Sequence, residues 1–367
     1  MNTDAHFMAR AIRLAEKGLY TTHPNPRVGC VIVNDGQIVG EGWHERAGEG
    51  HAEANALKQA AEKAKGATVY CTLEPCSYQG RTPSCADSLV TAGVSRVVAA
   101  MIDPHPRNAG AGIRILEAAG ITVDFPLMES SARVLNPGHV KRFESGLPFV
   151  RLKLAMSLDG RTALANGESQ WITGDAARRD VQKLRARSSA IVTGIQTVLD
   201  DNPRLSVRAP ELDIDNAPLS ASIERTIVVM DSSCRINPQA EVLGNKGAIV
   251  ACLDSATAKG TYKTLPLPAD EGGRVGILPL LQALAARECN EVLFECGPTL
   301  AGSLIRSGYL DELILYAAPV MLGSDARGLL NIPKFDSMAH RIQWDMGDVR
   351  RIGDDLKLTL TPVTGLE

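Results

Sequence analysis

The 367-residue chain is 44% apolar and 22% charged, an ordinary globular composition that excludes disorder as its dominant state. Its 39 basic residues against 42 acidic ones leave a net charge of −3, which disfavours attachment to nucleic acid by general electrostatics. The length accommodates two or three domains, and no apolar run reaches the roughly 18–20 residues that a membrane helix requires.

At the N-terminus, Phe7, Met8, Ala11, Ile12, Leu14 and Ala15 recur at helical spacing. This segment reads as a folded amphipathic helix rather than a signal peptide, so the chain is expected to be cytoplasmic. Val28–Val33 and Gln37–Trp43 flank Asn34-Asp35-Gly36, a strong hairpin signal. A helix over Ala52–Lys65 should stop at Gly66, followed by a strand over Ala67–Leu73. A helix over Ala86–Ala92, a strand over Val94–Met101 and a helix over Ile113–Ala119 complete the first half. Such alternation predicts an α/β sandwich with helices on both faces of one sheet. Gly146-Leu147-Pro148 punctuates the chain, placing a boundary near residues 145–148 and dividing it into 1–146 and 147–367. Beyond it, a strand begins at Phe149, a helix spans Asp175–Arg187, and strands cover Ser189–Gly194, Arg225–Asp231 and Glu291–Glu295. Ala209–Ser222, rich in Pro and Asp, is expected to be a solvent loop.

Eight cysteines in a reducing compartment need another explanation than disulfides. Cys30, Cys234, Cys252 and Cys289 read as small core or surface residues, whereas Cys71, Cys76, Cys85 and Cys296 lie near glycines, prolines and acids. His51-Ala52-Glu53 opens one helix, Glu74-Pro75-Cys76 follows a strand, and Cys85 starts the next helix. One imidazole and two thiolates form a three-ligand Zn²⁺ site with a position left for water. Glu53 sits two residues from a ligand, close enough to move protons without occupying the metal. For both to face the site, His51 and Glu53 must occupy the irregular first turn. The pattern is that of zinc nucleobase deaminases, except that eight residues rather than two separate the cysteines. A closed structural site of His51, Cys71, Cys76 and Cys85 is the alternative, and it leaves Glu53 without a purpose.

The segments Thr21–Val33, HAE, EPCSYQGRTPSC and DPHPRNAGAG resemble the bacterial bifunctional riboflavin-biosynthesis deaminase/reductase, and the resemblance covers almost the whole chain. It implies a cytidine-deaminase-like α/β/α sandwich followed by a dihydrofolate-reductase-like α/β domain. The first would deaminate a 2,5-diamino-6-ribosylamino-4-pyrimidinone 5′-phosphate at its C2 amino group. Glu53 would protonate the ring nitrogen and then the departing ammonia. Asn25 matches the family's substrate-contacting asparagine, Arg81 in the loop between the cysteines is the candidate phosphate contact, and His44 is open between substrate contact and packing. Tyr78 stands where the family usually has His, and His105 where it has Asn.

In the second half no G-x-G-x-x-G follows a strand; instead Glu291–Glu295 runs into Gly297-Pro298 and a helix. The segments Leu152–Arg161, Gly167–Thr173, Thr197–Arg208 and Asp231-Ser232 resemble the family's reductase half, whose cofactor is NADPH. By matching positions, Ala155, Trp171, Thr197, Asp201, Ser232 and the turn Gly297, Pro298, Thr299, Leu300, Ala301, Gly302, Ser303 should line the NADPH site. Ser169, Arg185, Leu205, Arg208 and Glu295 should contact the substrate, with Lys153 assisting electrostatically. The reaction implied is hydride delivery to C1′ of the ribosyl group, opening it to a ribityl chain. The resemblance also implies small phosphorylated pyrimidines as partners, without nucleic acid or membrane, and a homo-oligomer, dimer or tetramer. A nucleic-acid deaminase with an accessory domain is the alternative, disfavoured by the acidic balance and the long cysteine spacing.

Overall fold

Asp35 and Gly36 both adopt left-handed backbone (φ 50° and 75°), the geometry of a tight two-residue hairpin turn. The turn joins β1 (Gly29–Asn34) to β2 (Gln37–Trp43), with Asn34 opposite Gln37. The structure, a computed structural model, describes residues 3–78 and 84–363. It divides into two units, Met1–Leu147 and Pro148–Glu367.

In the first unit α1 (Thr3–Glu16) precedes the hairpin. After it come α2 (Ala52–Ala60), β3 (Thr68–Cys71), α3 (Cys85–Thr91), β4 (Arg96–Ala99), α4 (Ala111–Ala118) and β5 (Thr122–Asp124). The sheet runs β2-β1-β3-β4-β5; β1 is antiparallel to β2 and β3, and the remaining pairs are parallel. Alternation along the strands sends Cys30, Ile32, Val69, Cys71 and Val97 to one face, where Ala56, Ala86, Leu89 and Leu116 cover them. Val31, Val33, Tyr70 and Val98 point to the other face, under Met8, Ala11 and Leu14 of α1. Helices therefore pack on both faces, as the alternation predicts. Two further helices, α5 (Glu129–Leu135) and α6 (Pro137–Ser145), add Ala132 and Val140 to the second face.

The position of α2 is set by two glycines. A Cβ on Gly42 would stand 2.3 Å from the Ala52 carbonyl oxygen, and one on Gly40 equally close to that of Ala56. Only glycine at both positions lets the helix lie this near the strand. The helix is shorter than the predicted Ala52–Lys65. Ala61 turns left-handed (φ 48°) and a 3₁₀ turn covers Ala61–Ala64, which lets Ala60 and Ala64 both enter the core.

Asp4 ties α1 to the sheet. Its carboxylate accepts from the Tyr70 hydroxyl at 2.7 Å and from two Arg96 nitrogens at 3.1 and 2.9 Å. The Arg96 hydrogen bond, then that of Tyr70, holds the Asp4 carboxyl below its ordinary value. A depressed carboxyl stabilises the fold above its unfolded value near 3.8, and that contribution is lost as pH falls through the lowered folded value. Asp4→Asn is thus expected to lower stability by about 1 kcal/mol at pH 7. Chemical denaturation repeated at pH 3 and below should show the difference between the two proteins shrinking.

The second unit begins with β6 (Phe149–Ser157), β7 (Arg161–Ala163), α7 (Asp175–Arg187), β8 (Ala190–Gly194) and α8 (Ile195–Asp201). Next come α9 (Ala217–Ser222), β9 (Thr226–Met230), β10 (Ala248–Leu253), β11 (Thr264–Leu267), α10 (Ile277–Ala286), β12 (Glu291–Glu295), α11 (Pro298–Arg306) and β13 (Glu312–Ala318). The short β14 (Arg327–Gly328) pairs with β7, and a hairpin of β15 (Trp344–Ile352) and β16 (Asp355–Pro362) closes the order. The nine-stranded sheet runs β11-β10-β9-β8-β12-β6-β13-β16-β15, parallel from β11 to β13 and antiparallel thereafter. Parallel strands covered on both faces read as continuous apolar runs, as in Ile227–Val229 and Val292–Phe294, all buried.

Ala209–Ser222 is not a plain solvent loop. It contains a 3₁₀ turn over Ala209–Glu211 and helix α9, with Leu212, Ala217 and Ser220 buried. The cause lies outside the segment: the buried Arg225 guanidinium donates to the carbonyls of Ser220 and Ile223, each at 2.8 Å, and to that of Ala186 at the end of α7.

Candidate functional site

His51 immediately precedes α2 in extended conformation (φ −70°, ψ 164°), while Glu53 lies in the first turn and is buried. This break in helical geometry lets two residues that are two apart face one site. Cys76 follows β3 through Glu74-Pro75. The buried Glu74 carboxylate accepts from the backbone N–H groups of Asp103 (3.1 Å), Gly110 (2.9 Å) and Gly112 (2.9 Å), pinning the next loop beneath it. Cys85 is the first residue of α3, whose cap is Ser84: its hydroxyl accepts from the Asp87 N–H at 3.1 Å.

These three elements bring His51 Nδ1 to 3.2 Å from Cys85 Sγ and 3.6 Å from Cys76 Sγ. The Cys85 N–H donates to Cys76 Sγ at 3.3 Å. Among the described residues the group able to hold a metal ion is His51, Cys76 and Cys85, with ligand atoms within 4.8 Å of one another. Cys71 is not part of it; it faces Cys30 across the sheet, Sγ to Sγ 3.7 Å, inside the apolar core. The contact with Cys85, against burial and aided by His51, lowers the Cys76 thiol to about 5, while the same contact and burial push Cys85 up. One imidazole and two thiols, one of them readily ionised, form a donor set that suits Zn²⁺. Burial raises the Glu53 carboxyl, against the pull of His51.

His44 is buried and holds two partners. Its Nδ1 donates to the Gly50 carbonyl (3.1 Å), which leaves Nε2 to accept from the Asn25 amide (3.0 Å). Burial lowers its pKa, in keeping with a neutral ring. It therefore packs and fixes the Asn25 amide, with its ring 5.5 Å from that of His51. Arg81 lies outside the described residues. Tyr78 carries the Arg107 guanidinium 4.8 Å above its ring, a contact with no signal in the spacing because Arg107 sits on another loop.

In the second unit a cavity of about 940 Å³ opens at the carboxyl ends of the parallel strands, where ligands of such sheets bind. Ala155, Trp171, Thr197, Asp201, Ser232, Gly297, Pro298, Thr299, Leu300 and Ser303 line it, as do Ser169, Arg185, Leu205, Arg208, Glu295 and Lys153. Ala301 and Gly302 do not: both are on the core side of α11, where a Cβ on Gly302 would meet the Asn331 carbonyl oxygen at 2.1 Å. Trp171 is 69% exposed, which rules out a core aromatic, and carries Arg178 at 4.7 Å. Gly297 through Leu300 border the cavity at the start of α11, where N–H groups without helical partners suit phosphate.

Arg185 is not a solvated helix residue. Its Nε and Nη2 bond both Glu295 oxygens, at 2.6 and 3.0 Å. Burial would raise the Glu295 carboxyl, but Arg185 outweighs it and holds the group below its ordinary value. Lys153 is lowered by burial. Arg208 is half exposed and pairs with Glu211, three residues on.

A thiolate–imidazole centre with an adjacent buried carboxyl, together with a dinucleotide-sized cavity on a parallel sheet, defines a two-domain deaminase and reductase. Residues 1–101 match the cytidine and deoxycytidylate deaminase zinc-binding region, and residues 148–358 match the RibD C-terminal domain. The chain belongs to the RibD family, bifunctional deaminase/reductases of riboflavin biosynthesis that use zinc and NADPH. It is 50% identical over 363 residues to the riboflavin biosynthesis protein RibD of Escherichia coli K12, covering 97% of this chain and 99% of that protein. The solved RibD of Acinetobacter baumannii, form 1, superposes with a TM-score of 0.90 at 42% identity over 99% of both chains. The Thermotoga maritima diaminohydroxyphosphoribosylaminopyrimidine deaminase/5-amino-6-(5-phosphoribosylamino)uracil reductase gives 0.85 at 28% identity, over 98% of this chain and 99% of that one. No helix among the described residues is long and apolar enough to cross a membrane.

Proposed function

We propose that residues 1–146 hydrolyse the C2 amino group of 2,5-diamino-6-(5-phosphoribosylamino)pyrimidin-4(3H)-one, and that residues 147–367 reduce the ribosyl group of the resulting uracil. The observation that carries the reading is the group of His51, Cys76 and Cys85 with Glu53 buried beside it but outside the ligand set. Zinc held by these three supplies the Lewis acidity that activates a water at neutral pH. Glu53, its carboxyl raised by burial, carries one proton of the attacking water to the ring nitrogen and the other to the amino group, which leaves as ammonia as the C2–N bond breaks and the C2 carbonyl forms. Asn25, its amide oriented by His44, reads the pyrimidine edge, and Arg81 holds the phosphate.

In the second half, NADPH supplies the hydride for C1′. Ala155, Trp171, Thr197, Asp201, Ser232, Gly297–Leu300 and Ser303 hold the cofactor, and Ser169, Arg185, Leu205, Arg208 and Glu295 hold the substrate. Because Arg185 is committed to Glu295 through two hydrogen bonds, the 5′-phosphate is assigned chiefly to Arg208. Lys153 adds positive charge beside Glu295. The chain acts in the cytoplasm as a homo-oligomer; the exposed Met346, Val349 and Leu356 of the β15–β16 hairpin support self-association.

Steady-state kinetics of Arg208→Ala test the assignment of the phosphate. The Michaelis constant for the deaminated intermediate should rise about ten- to a hundredfold, the loss of one charge-assisted contact, with that for NADPH unchanged. A selective loss of NADPH affinity would move Arg208 to the cofactor.

A further inference from the structure

The loop between β4 and α4 lies against the segment that carries Cys76, and it is anchored on several sides. Besides the three N–H groups held by Glu74, the buried Asn108 accepts from the Ser77 N–H at 2.9 Å, and its own N–H donates to the His105 carbonyl at 2.8 Å. Asp103 accepts from the His105 N–H and from His139 Nε2, each at 2.9 Å. The Phe143 ring of α6 closes the group, 4.3 Å from the His105 ring and 4.9 Å from that of His139. Arg107 sits between these anchors, so its backbone is fixed, and its guanidinium lies over the Tyr78 ring.

Charge distinguishes Arg107 from other arginines of the unit. Arg10, Arg96 and Arg133 each hold a carboxylate within 2.9 Å, whereas Arg107 is in no ion pair among the described residues. Stacking on a phenol uses the face of a guanidinium and leaves its N–H edges open. The Arg107 backbone N–H donates to His105 Nδ1 at 3.1 Å, which places the proton of the neutral ring on Nε2. Neither that Nε2–H nor the Tyr78 hydroxyl has a partner among the described residues. The acid of this loop does not cancel the charge: Asp103 is buried and turned to His105, His139 and Asn108. A cation and two hydrogen-bond donors thus share one rim, and Tyr78 is two residues from Cys76, a reach of at most about 7 Å. Tyr78 and His105 are also the two departures from the family's pattern, and their rings meet here, 6.4 Å apart.

We infer that Arg107, stacked on Tyr78 and flanked by His105, binds the 5′-phosphate of the pyrimidine substrate at the edge of the deaminase centre. This rests on the deaminase reading of that centre and gives the dianion a second cation besides Arg81. In such a substrate the phosphate lies at the far end of the ribose from C2, so its holder belongs at the rim and not among the metal ligands. Guanidinium suits the task because it offers a phosphate two parallel hydrogen bonds. Tyr78 is a positioning residue: its ring holds the guanidinium in place, so that little ordering remains to be done on binding.

The test is steady-state deamination by the zinc-loaded full chain of the diaminopyrimidinone 5′-phosphate and of its dephosphorylated counterpart, compared with Arg107→Ala, Arg107→Gln, Tyr78→Leu and Tyr78→Phe. Both Arg107 variants should raise KM for the phosphorylated substrate roughly ten- to a hundredfold with kcat kept, so that the preference for the phosphorylated form falls by the same factor. Tyr78→Leu should move KM in the same direction and by less, and Tyr78→Phe, which keeps the ring, should restore most of it. Zinc content and reduction of supplied deaminated intermediate at the parent rate show that each variant is folded. Equal weakening of both substrates in the Arg107 variants would overturn the inference and leave Arg107 a part of the loop's shape. An unaltered preference for the phosphorylated form would overturn it too. Failure of the zinc-loaded parent to deaminate either compound would instead refute the deaminase reading on which the inference rests.

Discussion

Cys76→Ser and Cys85→Ser are each expected to cut zinc content from about one ion per chain to near zero, with deamination lost in proportion. Each removes a thiolate from a set of three, and thiolate charge offsets that of the ion. Cys71→Ala should keep its zinc, because the Cys71 thiol lies against Cys30 in the apolar core and outside the ligand group. That variant should lose only some stability, about 1 kcal/mol, since it exchanges one small apolar group for another. Elemental analysis of the three purified variants separates the open three-ligand centre from a closed site using Cys71. Equal zinc loss in all three would favour the closed site.

Glu53→Gln is expected to retain zinc and lose deamination by about 10²–10⁴-fold. The amide fills the same space but cannot accept and return a proton. Burial raises the Glu53 carboxyl, an environment that suits a group cycling between its two protonation states. Reduction of supplied deaminated intermediate should proceed at the parent rate, since the NADPH cavity is built from second-unit residues. Single-turnover product analysis with parallel zinc measurement checks both parts; loss of zinc would make Glu53 a ligand.

The sequence revealed those parts of the fold where one local signal decides the outcome. The Asn34-Asp35-Gly36 turn needs two left-handed residues, and Asp175–Arg187 has helical bounds that coincide with the structure. It concealed what depends on distant partners. The helix in Ala209–Ser222 is held by Arg225, and β15 has charges on both faces, so no period-two pattern marks that strand. At the deaminase centre the ligand types and the first-turn requirement were legible, whereas the His44 contact with Asn25 and the Glu74 anchor depend on folded neighbours. In the reductase cavity, sequence places both Arg185 and Glu295 against the substrate but does not show that Glu295, 110 residues away, occupies the Arg185 guanidinium. Ala301 and Gly302 were placed in the site as part of a turn, but helical geometry carries them to the core side.

The central claim is that one chain performs two ordered reactions with separate residues. Mass analysis of the products formed by the purified zinc-loaded protein from the diaminopyrimidinone phosphate tests it most directly. Without NADPH, the predicted product has one amino group replaced by oxygen and retains its ribosyl ring. With NADPH, the predicted product is the same uracil carrying two further hydrogens on an opened ribityl chain. A ribityl product that still carries both amino groups, or deamination that requires NADPH, would contradict the account.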